Sequence, residues 1–187
     1  MPAQVTPSRY VDCRMRVRLV PGILIMVLLS ILIVPSRAPA ADRTWTGNGA
    51  DNKWDTAGNW LNSNKPVNDD RVIFDNNSQA RLDNINDIVG LTGMEIKVVN
   101  PTGDVTINDI GGTGTLVLAT TDPAIDLSTA EKNLTIETVL ILQGATAYSV
   151  KAGRTLTLGD DVNGQFKVTK RGGGRGGLWR HPPKRRL

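Results

Sequence analysis

Between Val105 and Val168 the chain repeats one small pattern eight times: two apolar residues flank a third position, most often a polar or small one. The pairs are Val105/Ile107, Leu116/Leu118, Ile125/Leu127, Leu134/Ile136, Leu140/Leu142, Tyr148/Val150, Leu156/Leu158 and Phe166/Val168, at intervals of about ten residues with turn-type sequence between them. Alternation of this kind puts both members of a pair on one face of a strand. With no segment of helical period among them, the expectation is an all-β chain. Two architectures accommodate short, evenly spaced strands. A β-sandwich does so with hairpins, and a β-solenoid does so with stacked coils. Leu134/Ile136 and Leu156/Leu158 lie 22 residues apart in similar contexts, and Tyr148/Val150 lies 23 after Ile125/Leu127. That spacing suits three short strands per coil. It predicts a β-solenoid of about three coils, stacked ~4.8 Å apart, with Ile, Leu and Val inward and Thr, Asp and Lys outward. A β-sandwich is the alternative.

The two ends of the chain have a different character. Arg14, Arg16 and Arg18 precede an apolar run from Leu19 to Val34, and Ala38-Pro39-Ala40 follows as a small-x-small site. This is the layout of a signal peptide over 1–40, with Met15 as the more natural start. The apolar run is shorter than the ~20 residues a membrane-spanning helix requires and contains Pro21-Gly22. The expected location is therefore secreted, periplasmic or cell-surface. The single cysteine, Cys13, precedes the apolar run. The mature chain would contain none, so neither a disulfide nor a lipid anchor is expected, and stability must come from backbone ladders and burial.

Net charge is +4 overall, but it is segregated. From Ala41 to Thr169 there are ten Lys/Arg against seventeen Asp/Glu, whereas Lys170 to Leu187 holds seven Lys/Arg and no acid. The strand-bearing part is acidic, which argues against a nucleic-acid-binding domain. Residues 170–187, rich in Arg and Gly and without alternation, read as a disordered basic tail whose abrupt composition suggests a shifted reading frame.

Residues 41–92 read as an N-terminal cap region and 93–169 as the solenoid body. The cap contains Trp45, Trp54 and Trp60 among Gly, Asn and Asp, then a short strand at Val72-Ile73-Phe74 and a further strand carrying Leu82, Ile85, Ile88 and Val89. Thr44-Trp45-Thr46-Gly47, Trp54, Asn59-Trp60, Pro66, Asp70 and Val72-Ile73-Phe74 resemble the opening of bacterial secreted proteins with autotransporter-associated β-strand repeats. Asn100-Pro101-Thr102-Gly103-Asp104-Val105-Thr106-Ile107, Ala124-Ile125-Asp126-Leu127-Ser128, Asn133-Leu134-Thr135-Ile136 and Ala152-Gly153-Arg154-Thr155-Leu156-Thr157-Leu158 resemble the repeat body of that family. The resemblance implies a passenger-type, right-handed parallel β-helix that is secreted or surface-exposed. No translocator barrel fits after Lys170.

Catalytic side chains are scarce. The sole histidine, His181, lies in the tail, which disfavours a Ser/His/Asp triad or a histidine-based zinc site. A polysaccharide lyase would draw on Lys151, Arg154, Asp160 and Asp161, yet adjacent carboxylates on a strand face opposite ways, so Asp160-Asp161 reads better as a turn. The clusters Asp69/Asp70/Asp75 and Asp83/Asp87 have oxygens suited to Ca2+, without a calcium-loop spacing, and read as solvated turns. Trp45, Trp54 and Trp60 either seal the apolar end of the solenoid or stack on sugar rings. The composite expectation is a structural, adhesin-like, non-enzymatic surface protein that needs no cofactor. Its partners would be extracellular matrix or surface carbohydrate, and its open C-terminal end would favour self-association. A carbohydrate-binding module and a polysaccharide lyase are the alternatives.

Overall fold

A computed structural model describes residues 40–178 of the 187-residue chain. Residues 1–39, which hold nearly all of the stretch read as a signal peptide together with Cys13 and Met15, lie outside the described residues, as does His181.

The described residues wind as a parallel β-solenoid of fourteen short strands: β1 (Asp42–Thr44), β2 (Arg71–Phe74), β3 (Asp83–Asn86), β4 (Glu95–Val98), β5 (Val105–Asp109), β6 (Leu116–Leu118), β7 (Ile125–Leu127), β8 (Leu134–Glu137), β9 (Leu140–Leu142), β10 (Thr146–Val150), β11 (Thr155–Leu158), β12 (Val162–Asn163), β13 (Val168–Arg171) and β14 (Arg175–Leu178). Three sheets form its walls, which we call A, B and C. Sheet A has the order β1-β2-β4-β7-β10-β13, sheet B β14-β11-β8-β5-β3, and sheet C β12-β9-β6. Every pairing between named strands is parallel. Parallel neighbours cannot be joined by hairpins, so the β-sandwich alternative does not apply. The six strands of sheet A define about five coils, not three. The extra coils come from 41–92, which supplies β1, β2 and β3 as well as the tryptophans.

Register explains where the spacing is regular. Leu134 and Ile136 stand opposite Leu156 and Leu158, and Ile125 and Leu127 stand opposite Tyr148 and Val150, at the offsets of 22 and 23 visible in the sequence. Other coils are longer. Val105 pairs with Leu134 and Ile96 with Ile125, offsets of 29, because loops between β5 and β6 and between β6 and β7 add residues at the corners.

Inside, side chains stack into columns. Val105, Leu134 and Leu156 form one column, Ile107, Ile136 and Leu158 another, and Val72, Ile96, Ile125 and Tyr148 a third. All are buried in one continuous core. Burial of a Leu or Ile side chain contributes about 1.5–3 kcal/mol relative to exposure, and the columns repeat that gain in each coil. Outside, Thr106, Thr135 and Thr157 follow one another along sheet B.

Three local expectations need correction. Phe166 is 48% exposed, because the strand begins at Val168 and the preceding inward contact comes from Val162 in β12. In β3 the inward residues are Asn84 and Asn86, both fully buried, while Val89 is 77% exposed. The stretch from 170 begins as strand: β13 pairs with β10, and β14 pairs with β11. Its glycines have a steric reason. A Cβ on Gly176 would stand 2.8 Å from the Tyr148 ring, and one on Gly174 would stand 2.2 Å from the Lys151 carbonyl oxygen. Residues 179–187 lie outside the described residues.

Candidate functional site

A cluster built from the three tryptophans sits near the N-terminus of the solenoid, within its core. Trp45 and Trp54 are completely buried and Trp60 is 2% exposed. Trp60 sits edge-on to both, with ring centroids 5.1 Å from Trp45 and 5.6 Å from Trp54. Each such pair adds about 0.5–1.5 kcal/mol beyond burial. Every indole N–H has an acceptor: Trp45 donates to the Ala80 carbonyl at 3.2 Å, Trp54 to Asn84 Oδ1 at 2.7 Å and Trp60 to the Trp54 carbonyl at 2.7 Å. A sugar stacks on an exposed ring face, and these rings present none. All three rings are packed inside the core.

Asn59 organises the same region, a role that sequence reasoning missed. Its fully buried side chain accepts from the Gly49 N–H at 2.8 Å and donates to the carbonyls of Lys53 at 2.8 Å and Asp51 at 3.0 Å. Its own carbonyl accepts from the Thr46 and Gly47 N–H groups and from the Thr46 hydroxyl. The Asn-Trp pair at 59 and 60 was the available signal, since an asparagine between tryptophans in a glycine-rich loop must satisfy backbone groups that no ladder reaches.

The residues considered for lyase chemistry are not brought together. Lys151 and Arg154 share the turn between β10 and β11, where the Arg154 N–H donates to the Lys151 carbonyl at 3.1 Å. Asp160 and Asp161 occupy the next corner, between β11 and β12. The acidic clusters are likewise distributed among structural bonds. Asp70 takes the Arg43 guanidinium at 2.6 Å and the Val67 N–H at 2.9 Å. Asp75 takes the Asn77 N–H at 2.8 Å, Asp87 the Asp55 N–H at 2.8 Å, and Asp83 the Asn108 side-chain amide at 2.5 Å. Asp69 lies in the turn before β2, with φ +68°. Among the described residues no group of three or more His, Cys, Asp or Glu is arranged to hold a metal.

A concave feature of the surface lies on sheet A. A groove of about 400 Å3 is lined by Arg71, Glu95, Lys97, Asp122, Pro123 and Asp126, together with Ile96 and Thr121. Parallel register creates it. Asp42, Arg71 and Glu95 follow one another in one outward column, and Lys97 faces Asp126 in the next. The loop between β6 and β7 supplies Thr121, Asp122 and Pro123 as a wall. Most of the charges are paired. Arg71 donates to Glu95 at 2.7 Å and contacts Asp42 at 3.3 Å, and Arg171 from β13 pairs with Asp122. The hydrogen bond to Glu95 is the main reason the Arg71 guanidinium is held above its ordinary pKa. Lys97 and Asp126 are different: no ion pair joins them, and Asp126 Oδ1 accepts the Ser128 N–H at 2.9 Å. The groove was invisible in the sequence because Arg71, Lys97 and Asp126 meet only through coil offsets of 24 and 29 residues.

Among the described residues no helix is long and apolar enough to cross a membrane. Comparison of the chain with protein-family models, with curated proteins and with solved structures gives no match in any of the three.

Proposed function

We propose that this chain is an exported, structural β-solenoid of the passenger type, displayed at or beyond the cell surface, with an adhesin-like role and no catalytic activity. The observation that carries the reading is the placement of the first strand. β1 opens at Asp42, two residues after the Ala38-Pro39-Ala40 site, so cleavage there would leave the first rung and its tryptophan seal intact. The resemblance to autotransporter-associated repeats supports it through the same segments that pair in register: Asn133-Leu134-Thr135-Ile136 lies beneath Thr155-Leu156-Thr157-Leu158. A solenoid of this kind presents extended outer faces without needing an active site. Matrix or surface carbohydrate is the partner class. Among the described residues β12, β13 and β14 are the last strands of their sheets at the C-terminal end, and edges of that kind support self-association there.

The test is expression of the full chain in a Gram-negative host, followed by fractionation, N-terminal sequencing and attachment of intact cells to immobilised matrix glycans. The expected outcome is a periplasmic, surface or extracellular protein beginning at Ala41 that promotes attachment. An uncleaved chain retained in the cytoplasm, or export without any gain in attachment, would overturn the reading.

A further inference from the structure

We propose that the groove on sheet A binds a neutral polyhydroxylated saccharide, with Lys97 and Asp126 as the pair that reads its hydroxyl groups. The inference rests on the reading of the outer face as a contact surface, but it moves carbohydrate recognition away from the tryptophans, whose rings are buried.

The first argument is unused bonding capacity. Lys97 and Asp126 stand opposite each other on β4 and β7, where parallel neighbours lie ~4.8 Å apart, yet their charged groups do not pair. The other charges of the groove are already held: Arg71 by Glu95 and Asp42, and Asp122 by Arg171. Asp126 keeps an oxygen free beyond its bond to Ser128, and the Lys97 ammonium has three donors to offer. A pair of neighbouring sugar hydroxyls supplies both a donor for the carboxylate and an acceptor for the ammonium.

Charge balance is the second argument. The groove is lined by two cations, Arg71 and Lys97, and three carboxylates, Glu95, Asp122 and Asp126. A uronate or sulfated chain would meet those carboxylates in a segment that is itself acidic, and a polycation would meet the guanidinium and ammonium groups. A neutral ligand avoids both costs. Shape is the third argument. Pro123 gives the wall an apolar plate against which sugar C–H groups can rest.

The experiment uses the purified full chain and saturation-transfer NMR with titration calorimetry. The probes are neutral glucose-, mannose- and galactose-based oligosaccharides beside uronate and sulfated ones, at about 50 mM and about 500 mM NaCl. Binding to at least one neutral oligosaccharide is expected, with affinity changing less than about twofold between the two salt levels. Asp126→Ala and Lys97→Met should each weaken it by about tenfold or more, with unchanged circular dichroism, whereas Lys167→Ala at an exposed corner should leave it unaltered. Binding restricted to acidic oligosaccharides and lost at high salt would overturn the proposal, as would neutral binding indifferent to both variants, or no binding at all. Cell attachment separates this from the broader reading. Attachment that survives both variants removes the groove assignment and leaves the adhesin role standing. Glycan binding by the isolated protein without cell attachment does the reverse.

Discussion

Replacing Asn59 by Ala should remove the N-terminal seal without touching any strand. The asparagine side chain makes three hydrogen bonds of 3.0 Å or less, to the Gly49 N–H and to the carbonyls of Lys53 and Asp51. Each such bond is worth about 1 kcal/mol net, and leaving a buried partner unsatisfied costs about 1–3 kcal/mol. The three together come to about 3 kcal/mol, a large fraction of the ~5–15 kcal/mol that stabilises a domain. For a body of this size that corresponds to a fall in Tm of about 6–12 °C. Far-UV circular dichroism follows all coils, whereas tryptophan fluorescence follows chiefly the seal, where Trp45, Trp54 and Trp60 lie. Asn59→Ala should therefore move the fluorescence transition at least as far as the dichroism transition. Asn64→Ala, exposed and five residues on, is the control and should stay within about 0.5 kcal/mol. A loss below about 1 kcal/mol in Asn59→Ala, or one matched by the control, would refute the assignment of Asn59 as the organiser of the cap.

Two other outcomes follow from local geometry. Gly114→Ala would place a Cβ 1.9 Å from the Asn86 carbonyl oxygen, a backbone atom that cannot swing aside. It should cost about 3 kcal/mol or more in urea denaturation, whereas Gly112→Ala, with open space but φ +83°, should cost only about 1–2 kcal/mol. Asp104 accepts from the Asn133 N–H at 2.8 Å and from its side-chain amide at 3.0 Å, bridging consecutive coils, and these bonds hold its pKa below the ordinary value of 3.8. A depressed carboxylate stabilises the fold above its unfolded-state pKa and loses that contribution as pH falls through the folded-state value. Asp104→Asn should accordingly lower the urea midpoint at pH 7 and make little difference near pH 2, and equal effects at both would contradict the assignment.

The regular coils were legible because nothing interrupts them. From Ile125 to Leu158 each apolar pair is an inward pair, and the 22- and 23-residue offsets are the ladder itself. The 29-residue coils hid their register, since corner loops add residues that an alternation count cannot subtract. β3 was legible as a strand, but its facing was not, for a chemical reason. Its inward positions are Asn84 and Asn86, which serve the Trp54 indole and the Gly114 carbonyl, so apolar alternation points the wrong way there. β4 escaped notice because Glu95 opens it as a buried residue, balanced by Arg71 one coil below. β14 looked patternless because its glycines make room for Tyr148 and for the preceding turn, a requirement set by the neighbouring coil. The tryptophan cluster was visible as a cluster, but its buried state depends on Asn59 and Asn84, whose roles only the fold discloses. The groove on sheet A was illegible for a similar reason, since it exists only where separate coils meet.

Parallel stacking, and the groove that follows from it, can be tested by one cross-link. In a chain carrying Cys13→Ser, the double variant Lys97→Cys/Asp126→Cys places two thiols at directly opposed positions on β4 and β7, where the ~4.8 Å strand spacing falls within the ~4.4–6.8 Å between Cα atoms that a disulfide accepts. Mild oxidation should close it rapidly, while Lys97→Cys/Ser149→Cys, one coil further along the same column, should stay reduced. A disulfide that forms equally fast in both pairs, or only in the second, would contradict the register on which the solenoid and its site depend.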